Sequence, residues 1–384
     1  MKKNILHLLS WIPTEENPTM GNFCLRHIEA AGAVSHAVLL TVHCDAKTQK
    51  RKTEHIENKN YTHIKISIPR FSSAFPILNK YINKYRIFKA YNFGFQYIKI
   101  RIFIPDLLHL HVALPLGKMA LHWKKKHKLP YILTEHWSVY LPEDMRLGKN
   151  KISRKLLQVC NNASAVTTVS GYLQQNMQNC GVKNKFHIVP NVVNTAVFSP
   201  QTKAVTNKKQ ILHVSSLVDS EKNFSGILQV IKKVRMLRDD FVLNVVHDEK
   251  VPEFERYVSE NNLSDTVIFH GRKNENELAL FYNNADFVLL FSHFETFSCV
   301  VMEALSCGKP AIATHTGAIP EMLVENRGIT VQPNDKDALE KAFLLLLDNH
   351  FQYDSQKLRD YAVENFSENA VGKLFWSVYK TKPL

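Results

Sequence analysis

Two glutamates, Glu295 and Glu303, stand eight positions apart in an otherwise apolar stretch. The strand-like run "ADFVLLFS" precedes them, and the apolar residues that follow repeat at helical spacing: Phe297, Val300, Val301, Ala304 and Leu305. Gly308 then supplies a helix C-terminal cap, and Pro310 prevents the helix from continuing. The pattern predicts a strand–helix–strand unit, with Glu295 in the loop after the strand and Glu303 about two turns into the helix.

The start of this predicted helix, near Phe297 and Ser298, is suited to binding an anion. Its first backbone N–H groups lack helical partners and carry partial positive charge, which favours a phosphate. Carboxylates cannot bind phosphate, but they accept hydrogen bonds from sugar hydroxyls. Glu295 and Glu303 therefore favour a ligand with phosphate in the middle and hydroxyls at both ends, which is the layout of a nucleotide sugar. The alternative is a solvated helix, because Glu303 falls on the face opposite the apolar stripe.

The positive charge of the chain is concentrated in its first half. Residues 1–200 contain 28 Lys and Arg against 10 Asp and Glu, whereas the remainder contains 21 against 25. Residues 59–130 carry 14 basic residues and a single acid, Asp106, and bases alternate with aromatics in "KYINKYRIFKAYNFGFQYIKIRIF". This segment is either a solvated helix face or a surface for an anionic partner such as phospholipid headgroups or nucleic acid.

Several absences in the sequence disfavour broad classes of protein. Six cysteines, at positions 24, 44, 160, 180, 299 and 307, show no C-x-x-C spacing and no pairing with histidines, which argues against a zinc site and a disulfide framework. No apolar run approaches the roughly 18 residues that cross a bilayer. The start "MKKNILHLLSWIPTEENP" lacks a signal-peptide cleavage site, so a cytoplasmic protein is expected. A G-x-G-x-x-G turn after the first strand is also missing, which disfavours a dinucleotide-dependent dehydrogenase.

The chain alternates short β-branched runs with amphipathic stretches, the pattern of parallel sheets with crossover helices. A polar segment without periodicity, "SPQTKAVTNKKQ" at residues 199–210, separates the two halves. We therefore expect an α/β protein with two doubly wound, Rossmann-like domains facing a central cleft, at residues 1–200 and 201–360. The segment 361–384 is expected to form a helix that packs back toward the N-terminal domain. Ligands of such sheets bind at the carboxyl ends of the strands.

The two-glutamate stretch resembles the E-x7-E region of the family-4 retaining glycosyltransferases, which have the two-domain fold called GT-B. The resemblance covers nearly the whole chain, because other stretches resemble the family's signatures in the same order: "WIPTEENPTMGNF", "TEH", "VSGYL", "PNVVNTAVF", "HVSSLVDSEKN" and "FHGRKNENELALFYNNADFVLL". An isolated E-x7-E is a weak signal, but this ordered set is specific.

The resemblance implies roles for individual residues. Glu303 would bind the ribose hydroxyls of the donor, and Glu295 would contact the transferred sugar. Lys222 would neutralise the departing diphosphate, Gly21 would let the N-terminal loop approach the phosphates, and His136 would sit beside the sugar. No metal ion and no cofactor are expected, because a preorganised cation of the protein stabilises the charge on the leaving group.

The chain departs from the family's pattern at the predicted phosphate site. Ser215 and Ser216 stand where the family usually has Gly-Arg, so one phosphate-binding cation is missing. Arg272, which follows a predicted strand in the neighbouring loop, is our candidate substitute. Ser298 replaces the glycine that is common after the motif's aromatic residue, Phe297. We expect Ser216, Arg272, Phe297 and Ser298 to contribute to donor binding.

The activity that the resemblance implies is retaining transfer of a hexosyl group from a UDP- or GDP-sugar to a hydroxyl of a glycan or lipid-linked acceptor. Cell-surface polysaccharide assembly, such as capsule or lipopolysaccharide synthesis, would be its setting. The basic first half favours peripheral attachment to the anionic inner membrane face over nucleic acid, for which no binding module is visible. The alternative is a relative of the same fold that binds nucleotide sugars without transfer, for example an epimerase-type enzyme.

Overall fold

The computed structural model describes residues 2–12, 20–144, 152–203, 205–248, 251–324 and 326–381. The chain forms two compact units. The first comprises Met1–Tyr140, Leu147–Val192 and Glu368–Leu384, and the second comprises Leu141–Arg146 and Val193–Ser367. The boundary between them thus falls at Val192 rather than near residue 200, and the chain returns to the first unit at Glu368 rather than at residue 361.

Each unit is built around one sheet. In the described part of the chain, the strands of the first unit are β1 (Asn4–Leu9), β2 (His36–Asp45), β3 (Lys52–Glu57), β4 (Tyr61–Pro69), β5 (Leu107–His111), β6 (Tyr131–Glu135), β7 (Ala165–Thr168) and β8 (Phe186–Ile188). Those of the second unit are β9 (Lys209–Val214), β10 (Phe241–Val246), β11 (Val267–Phe269), β12 (Phe287–Leu289), β13 (Ala311–Thr314) and β14 (Gly328–Val331). Their spatial orders are β3-β4-β2-β1-β5-β6-β7-β8 and β11-β10-β9-β12-β13-β14.

Helices connect the parallel strands or follow the last of them. They are α1 (Asn22–Val34), α2 (Pro76–Arg101), α3 (Gly117–His127), α4 (Arg154–Asn162), α5 (Gly171–Asn179), α6 (Asp219–Lys222), α7 (Phe224–Leu237), α8 (Pro252–Glu260), α9 (Glu275–Asn284), α10 (Cys299–Ser306), α11 (Ile319–Met322), α12 (Lys336–Asn349), α13 (Ser355–Phe366) and α14 (Glu368–Lys380). The predicted architecture of two α/β units with parallel sheets is confirmed.

The apolar runs of the sequence form the central strands. β1 is buried along nearly its whole length, as expected for a parallel strand with both faces covered. Two of the described strands were not predicted. β3 pairs antiparallel with β4 at the edge of the first sheet, and its "KTEHIE" sequence is largely exposed, so it lacks an apolar signal. β14 is a short edge strand that begins at Gly328, a residue type that is depleted in strands.

The last helix, α14, packs against α1 within the first unit. Val371 and Phe375 join the core of that unit, where Ile5 of β1 also lies. Gly372 permits the close approach, because a Cβ there would lie 2.7 Å from the carbonyl oxygen of Ala30. The first sheet therefore buries one face against the C-terminal end of the chain.

The long helix α2 has two different halves. Its second half is packed, with Tyr91, Phe95 and Ile98 almost fully buried. Its first half leaves apolar side chains in solvent, including Ile77 and Tyr81 at 74% and 68% exposure. Among the described residues, no helix combines the length and the apolar character that spanning a bilayer requires.

Candidate functional site

The helix predicted after the first glutamate is present as α10. Ser298 caps its start, where the Ser298 hydroxyl accepts a hydrogen bond from the backbone N–H of Val301 at 3.4 Å. The helix ends at Ser306, and Gly308 beyond it has a φ of +70°, in the left-handed region that glycine favours. Ser298 is buried, so its observed role is to fix the first turn of α10, whose leading N–H groups face the carboxyl edge of the second sheet.

Lys222 and Glu295 form an ion pair at this edge. The Lys222 Nζ lies 2.7 Å from the Glu295 Oε1, and the two side chains are 21% and 12% exposed. The hydroxyl of Ser292 donates to the same carboxylate oxygen at 3.0 Å. Burial alone would lower the pKa of Lys222, but Glu295 and the nearby Glu221 raise it above its usual value, so the ammonium stays charged at neutral pH.

Three loops meet at Glu295 because they follow neighbouring strands, β9, β12 and β13. The backbone N–H of His293 donates to the carbonyl of Glu221 at 2.8 Å, which ties the loop after β12 to the one after β9. The loop after β13 approaches through Gly317, whose φ is +59° and where a Cβ would overlap the carbonyl oxygen of Glu295. Gly317 was not among the predicted site residues. Its signal in the sequence was a glycine in the turn after a predicted strand.

Glu303 is buried, with 6% of its surface exposed, which contradicts the alternative of a solvated carboxylate. Glu303 falls opposite the apolar stripe, which suggested a solvated position. That face is not solvated, because α10 is covered on most sides and packs against α13. The Tyr282 hydroxyl donates to Glu303 Oε2 at 3.0 Å. Burial and the Glu303 carboxylate raise the pKa of Tyr282 well above its usual value, so Tyr282 remains a hydrogen-bond donor.

Phe297 points its ring into the core of the second unit. It is 8% exposed, and its ring meets that of Phe366 edge-to-face with centroids 5.8 Å apart. The backbone of Phe297, rather than its side chain, is therefore the part suited to donor binding.

The two predicted residues of the phosphate site lie at different strands. Ser216 follows β9 directly, and the turn there is held by the Ser215 hydroxyl, which accepts from the backbone N–H of Leu217 at 3.1 Å. Arg272 follows β11, which is two strands away from β9. Its side chain is 46% exposed, and its guanidinium lies 3.8 Å from the carboxylate of Asp248. The structure brings Lys222, Glu295 and Ser292 into direct contact and pairs Arg272 with a different carboxylate.

His136 and Gly21 belong to the first unit. His136 is buried between the rings of Phe23 and His27, at centroid distances of 4.7 and 5.0 Å. Burial, with a smaller contribution from His27, holds the pKa of His136 well below its usual value, so the imidazole is neutral. Gly21 has a φ of +73°, and a Cβ there would overlap the carbonyl oxygen of Trp11. Residues 13–19 of the predicted acceptor-side loop lie outside the described residues.

Glu135, next to His136, was missed as a positioning residue. It is fully buried, and its carboxylate accepts from the backbone N–H groups of Ala113, His136 and Trp137 at 3.0–3.1 Å and from the Tyr140 hydroxyl at 3.1 Å. Burial raises the pKa of Glu135, whereas these hydrogen bonds oppose the rise. The carboxylate holds the loop that carries His136. The quoted "TEH" was the signal, but only the fold shows how many groups converge on its middle residue.

Two family models match the chain in succession. Residues 28–197 match the model described as Glycosyltransferase Family 4, and residues 194–367 match the one described as Glycosyl transferases group 1. A curated relative, an uncharacterised glycosyltransferase from Methanocaldococcus jannaschii, is 28% identical over 278 residues, which are 71% of this chain and 74% of that protein.

Solved structures share the fold. The sucrose-phosphate synthase of Thermosynechococcus elongatus has a TM-score of 0.77 at 18% identity, with 98% of each chain covered. HepE from Anabaena, solved in complex with UDP, has a TM-score of 0.73 at 15% identity, with 98% of this chain and 99% of that one covered. At such identities the likeness concerns architecture alone.

Proposed function

The chain belongs to the family-4 glycosyltransferases, and we propose that it transfers a sugar from a nucleoside diphosphate sugar to an acceptor hydroxyl with retention of the anomeric configuration. The observation that carries the proposal is the Lys222–Glu295 pair, which places a charged ammonium at the carboxyl edge of the second sheet. The start of α10 follows the loop that carries Glu295. Support for a uridine nucleotide comes from the same-fold protein HepE, which was solved with UDP and with UDP-glucose. A GDP-sugar remains the other donor to test.

In the proposed reaction the donor contacts both Lys222 and Glu295. Lys222 neutralises the diphosphate as the anomeric C–O bond breaks, and the first N–H groups of α10 share that charge. Glu295 accepts a hydrogen bond from a hydroxyl of the transferred sugar, while Glu303, oriented by the Tyr282 hydroxyl, accepts from the ribose. The backbone of Phe297 and the side chains of Ser216 and Arg272 complete donor binding. With this positive charge supplied by the protein, we propose that transfer needs neither a metal ion nor a cofactor.

The proton of the acceptor goes to the departing phosphate oxygen on the same face of the sugar. The acceptor oxygen forms its bond to the anomeric carbon as the bond to phosphate breaks, which retains the configuration and needs no dedicated general base. We propose that His136, being neutral, contributes hydrogen bonds to the sugar rather than charge. Gly21 is proposed to let its loop approach the phosphates.

We propose a lipid-linked acceptor and peripheral attachment to the inner membrane face, on the strength of the first half of α2. A groove of about 980 Å³ lies between α2 and the start of α3, lined by Tyr81, Lys84, Tyr85, Phe88, Leu116 and Met119. Exposed aromatics with lysines between them suit an interface of acyl chains and anionic headgroups. Cell-surface polysaccharide assembly, as in capsule or lipopolysaccharide, is the setting that such an acceptor suggests.

Membrane attachment is tested by sedimentation with vesicles. We expect binding to anionic vesicles at low salt, weakened by salt and absent from zwitterionic vesicles. Tyr81→Ser combined with Lys84→Glu should abolish binding, whereas Phe351→Ser, at a 71% exposed aromatic of the second unit, should not. Equal binding by all three proteins, or none by the wild type, would remove this part of the proposal.

The transfer itself is tested by incubating the protein with UDP- and GDP-sugars and lipid-linked acceptors, followed by NMR of the product. A product with the donor's anomeric configuration supports the proposal. Inversion overturns the retaining route. Binding of a nucleotide sugar without transfer, or with epimerisation, identifies the non-transferring alternative.

A further inference from the structure

The interior of the first unit contains an unusual concentration of metal-ligand side chains. In the described part of this unit, four histidines and Cys24 are completely buried near one another, and His136 is 6% exposed. They come from four elements that meet in the fold: His7 from β1, Cys24 and His27 from α1, His109 and His111 from β5, and His136 from the loop after β6. Their rings pack closely, with the His109 and His111 centroids only 4.1 Å apart.

One of these histidines, His109, has partners for both ring nitrogens. Its Nδ1 lies 2.7 Å from the Tyr379 hydroxyl, and its Nε2 lies 2.6 Å from the Thr134 hydroxyl. His109 is therefore a structural core residue.

Three of its neighbours differ from it, because each keeps a buried ring nitrogen that has no hydrogen-bond partner among the described residues: His7 at Nε2, His27 at Nδ1 and His111 at Nδ1. Buried polar atoms normally have a partner, so such a group of orphans calls for an explanation.

The hydrogen bonds of these rings show which nitrogens have a free lone pair. The Nε2 of His27 lies 2.8 Å from the carbonyl oxygen of Pro190, so it carries the proton and leaves the Nδ1 lone pair free. The Nε2 of His111 lies 3.1 Å from the Nδ1 of His7. When His111 donates in that bond, its Nδ1 is a free acceptor held in a fixed orientation, as in histidines that ligate metals.

We propose that Cys24, His111 and His136 form a site for a divalent transition-metal ion of the Zn²⁺ type. One ligand atom from each of the three lies within 4.8 Å of those of the other two. A tetrahedral Zn²⁺ with bonds of about 2.0–2.3 Å holds its ligand atoms somewhat closer than that, so binding requires the side chains to close in by about 1 Å. The mixed sulfur and imidazole donors are those that Zn²⁺ and Co²⁺ prefer.

His27 is a candidate for a fourth ligand. It follows Cys24 by three positions on α1, which places both side chains on one face of the helix. Its ring centroid lies 5.0 Å from that of His136 and 6.4 Å from that of His111. A metal bound through one ring nitrogen of His136 leaves the other free, so the site is compatible with the proposed sugar contact of His136.

The test uses Co²⁺ as the probe, on full-length protein freed of metal by a chelator. We expect one Co²⁺ per chain, visible d–d bands of tetrahedral intensity and a near-ultraviolet thiolate-to-cobalt band. Cys24→Ser should abolish the thiolate band, and His111→Asn should weaken binding at least tenfold. Cys160→Ala removes another buried cysteine of the same unit and should change neither. Zn²⁺ should displace Co²⁺ and raise the melting temperature of the wild type but not of Cys24→Ser.

The spectrum of the wild type decides the matter even where a variant fails to fold. Absence of the thiolate band from correctly folded, metal-free wild type after Co²⁺ addition overturns the site, as does a band that persists in Cys24→Ser. Co²⁺ bound with octahedral, weakly absorbing spectra would show attachment to exposed histidines instead and would equally overturn it. None of these readouts depends on sugar transfer.

Discussion

Replacing Lys222 by alanine separates the two tasks proposed for this residue, pairing with Glu295 and neutralising the leaving diphosphate. The pair spans 2.7 Å with side-chain exposures of 21% and 12%, so it lies between the exposed and the buried class of ion pair. Exposed pairs contribute about 0–1 kcal/mol and breaking a buried pair costs about 3–5 kcal/mol. We therefore expect Lys222→Ala to lower the free energy of unfolding by about 1–2 kcal/mol.

The catalytic effect of the same change should be larger. Removing one preorganised donor to a developing oxyanion lowers kcat by roughly 10²–10³, or about 2.7–4 kcal/mol. We expect a comparable loss of kcat in Lys222→Ala, with a smaller change in KM, because the interaction strengthens as charge develops on the phosphate.

The assay combines urea denaturation with turnover of the donor that the wild type accepts. Lys233→Ala is the matched control, because Lys233 is 51% exposed and pairs with Asp337 at 3.3 Å on the same unit. It should leave the free energy of unfolding and kcat nearly unchanged, because exposed ion pairs contribute little. The double variant Lys222→Ala/Glu295→Gln removes the uncompensated carboxylate and should recover stability without recovering kcat. A kcat of Lys222→Ala within about threefold of the wild type would refute the role in catalysis.

Two further predictions follow from buried groups. Tyr282→Phe removes the hydroxyl that lies 3.0 Å from the Glu303 carboxylate. It should lower the free energy of unfolding, measured by denaturation, by about 1–3 kcal/mol and weaken UDP or GDP binding, measured by calorimetry. Unchanged affinity would contradict the role of Glu303 in ribose binding. Burial lowers the pKa of His27 and His213 to about 4, against about 6.5 in an unfolded chain, so the unfolded state binds more protons between these values. Stability should therefore fall as the pH drops from about 6.5 toward 4, by up to roughly 1.4 kcal/mol per pH unit for each histidine, and a flat profile of denaturation midpoints over this range would contradict it.

The sequence predicted those parts of the fold in which hydrophobic periodicity is strong. The interior strands of both sheets are rich in apolar residues, and α10 has an apolar stripe and is followed by Gly308, whose φ is positive. β3 escaped prediction because an edge strand with exposed polar residues has no period to detect. The position of Glu303 shows the other limit. A helix covered on most sides buries residues outside its apolar stripe, and only the packing of α13 on α10 reveals this.

The candidate site was predictable where a motif is local and was hidden where it depends on topology. Glu295 and Glu303 lie on one strand–helix unit, so their spacing carries the signal. Cys24 and His111 are far apart in sequence, and the expectation that no cysteine pairs with histidines considered spacing alone. His111 ends β5, which pairs with β1, and Cys24 lies on α1, the helix that follows β1, so the fold brings their ligand atoms within 4.8 Å. Long-range pairing of this kind leaves no trace in residue spacing.

The central claim is that the carboxyl edge of the second sheet binds a nucleoside diphosphate through Lys222 and Glu303. Thermal unfolding of the wild type and Glu303→Ala with saturating UDP, GDP, ADP, CMP or NAD tests it most directly. A ligand at about 100 times its Kd stabilises the folded state by about 2.7 kcal/mol, which is readily measured. We predict a raised melting temperature with UDP or GDP that is lost in Glu303→Ala. No shift with any of the five, a shift with NAD alone, or an equal shift in the variant would contradict the claim.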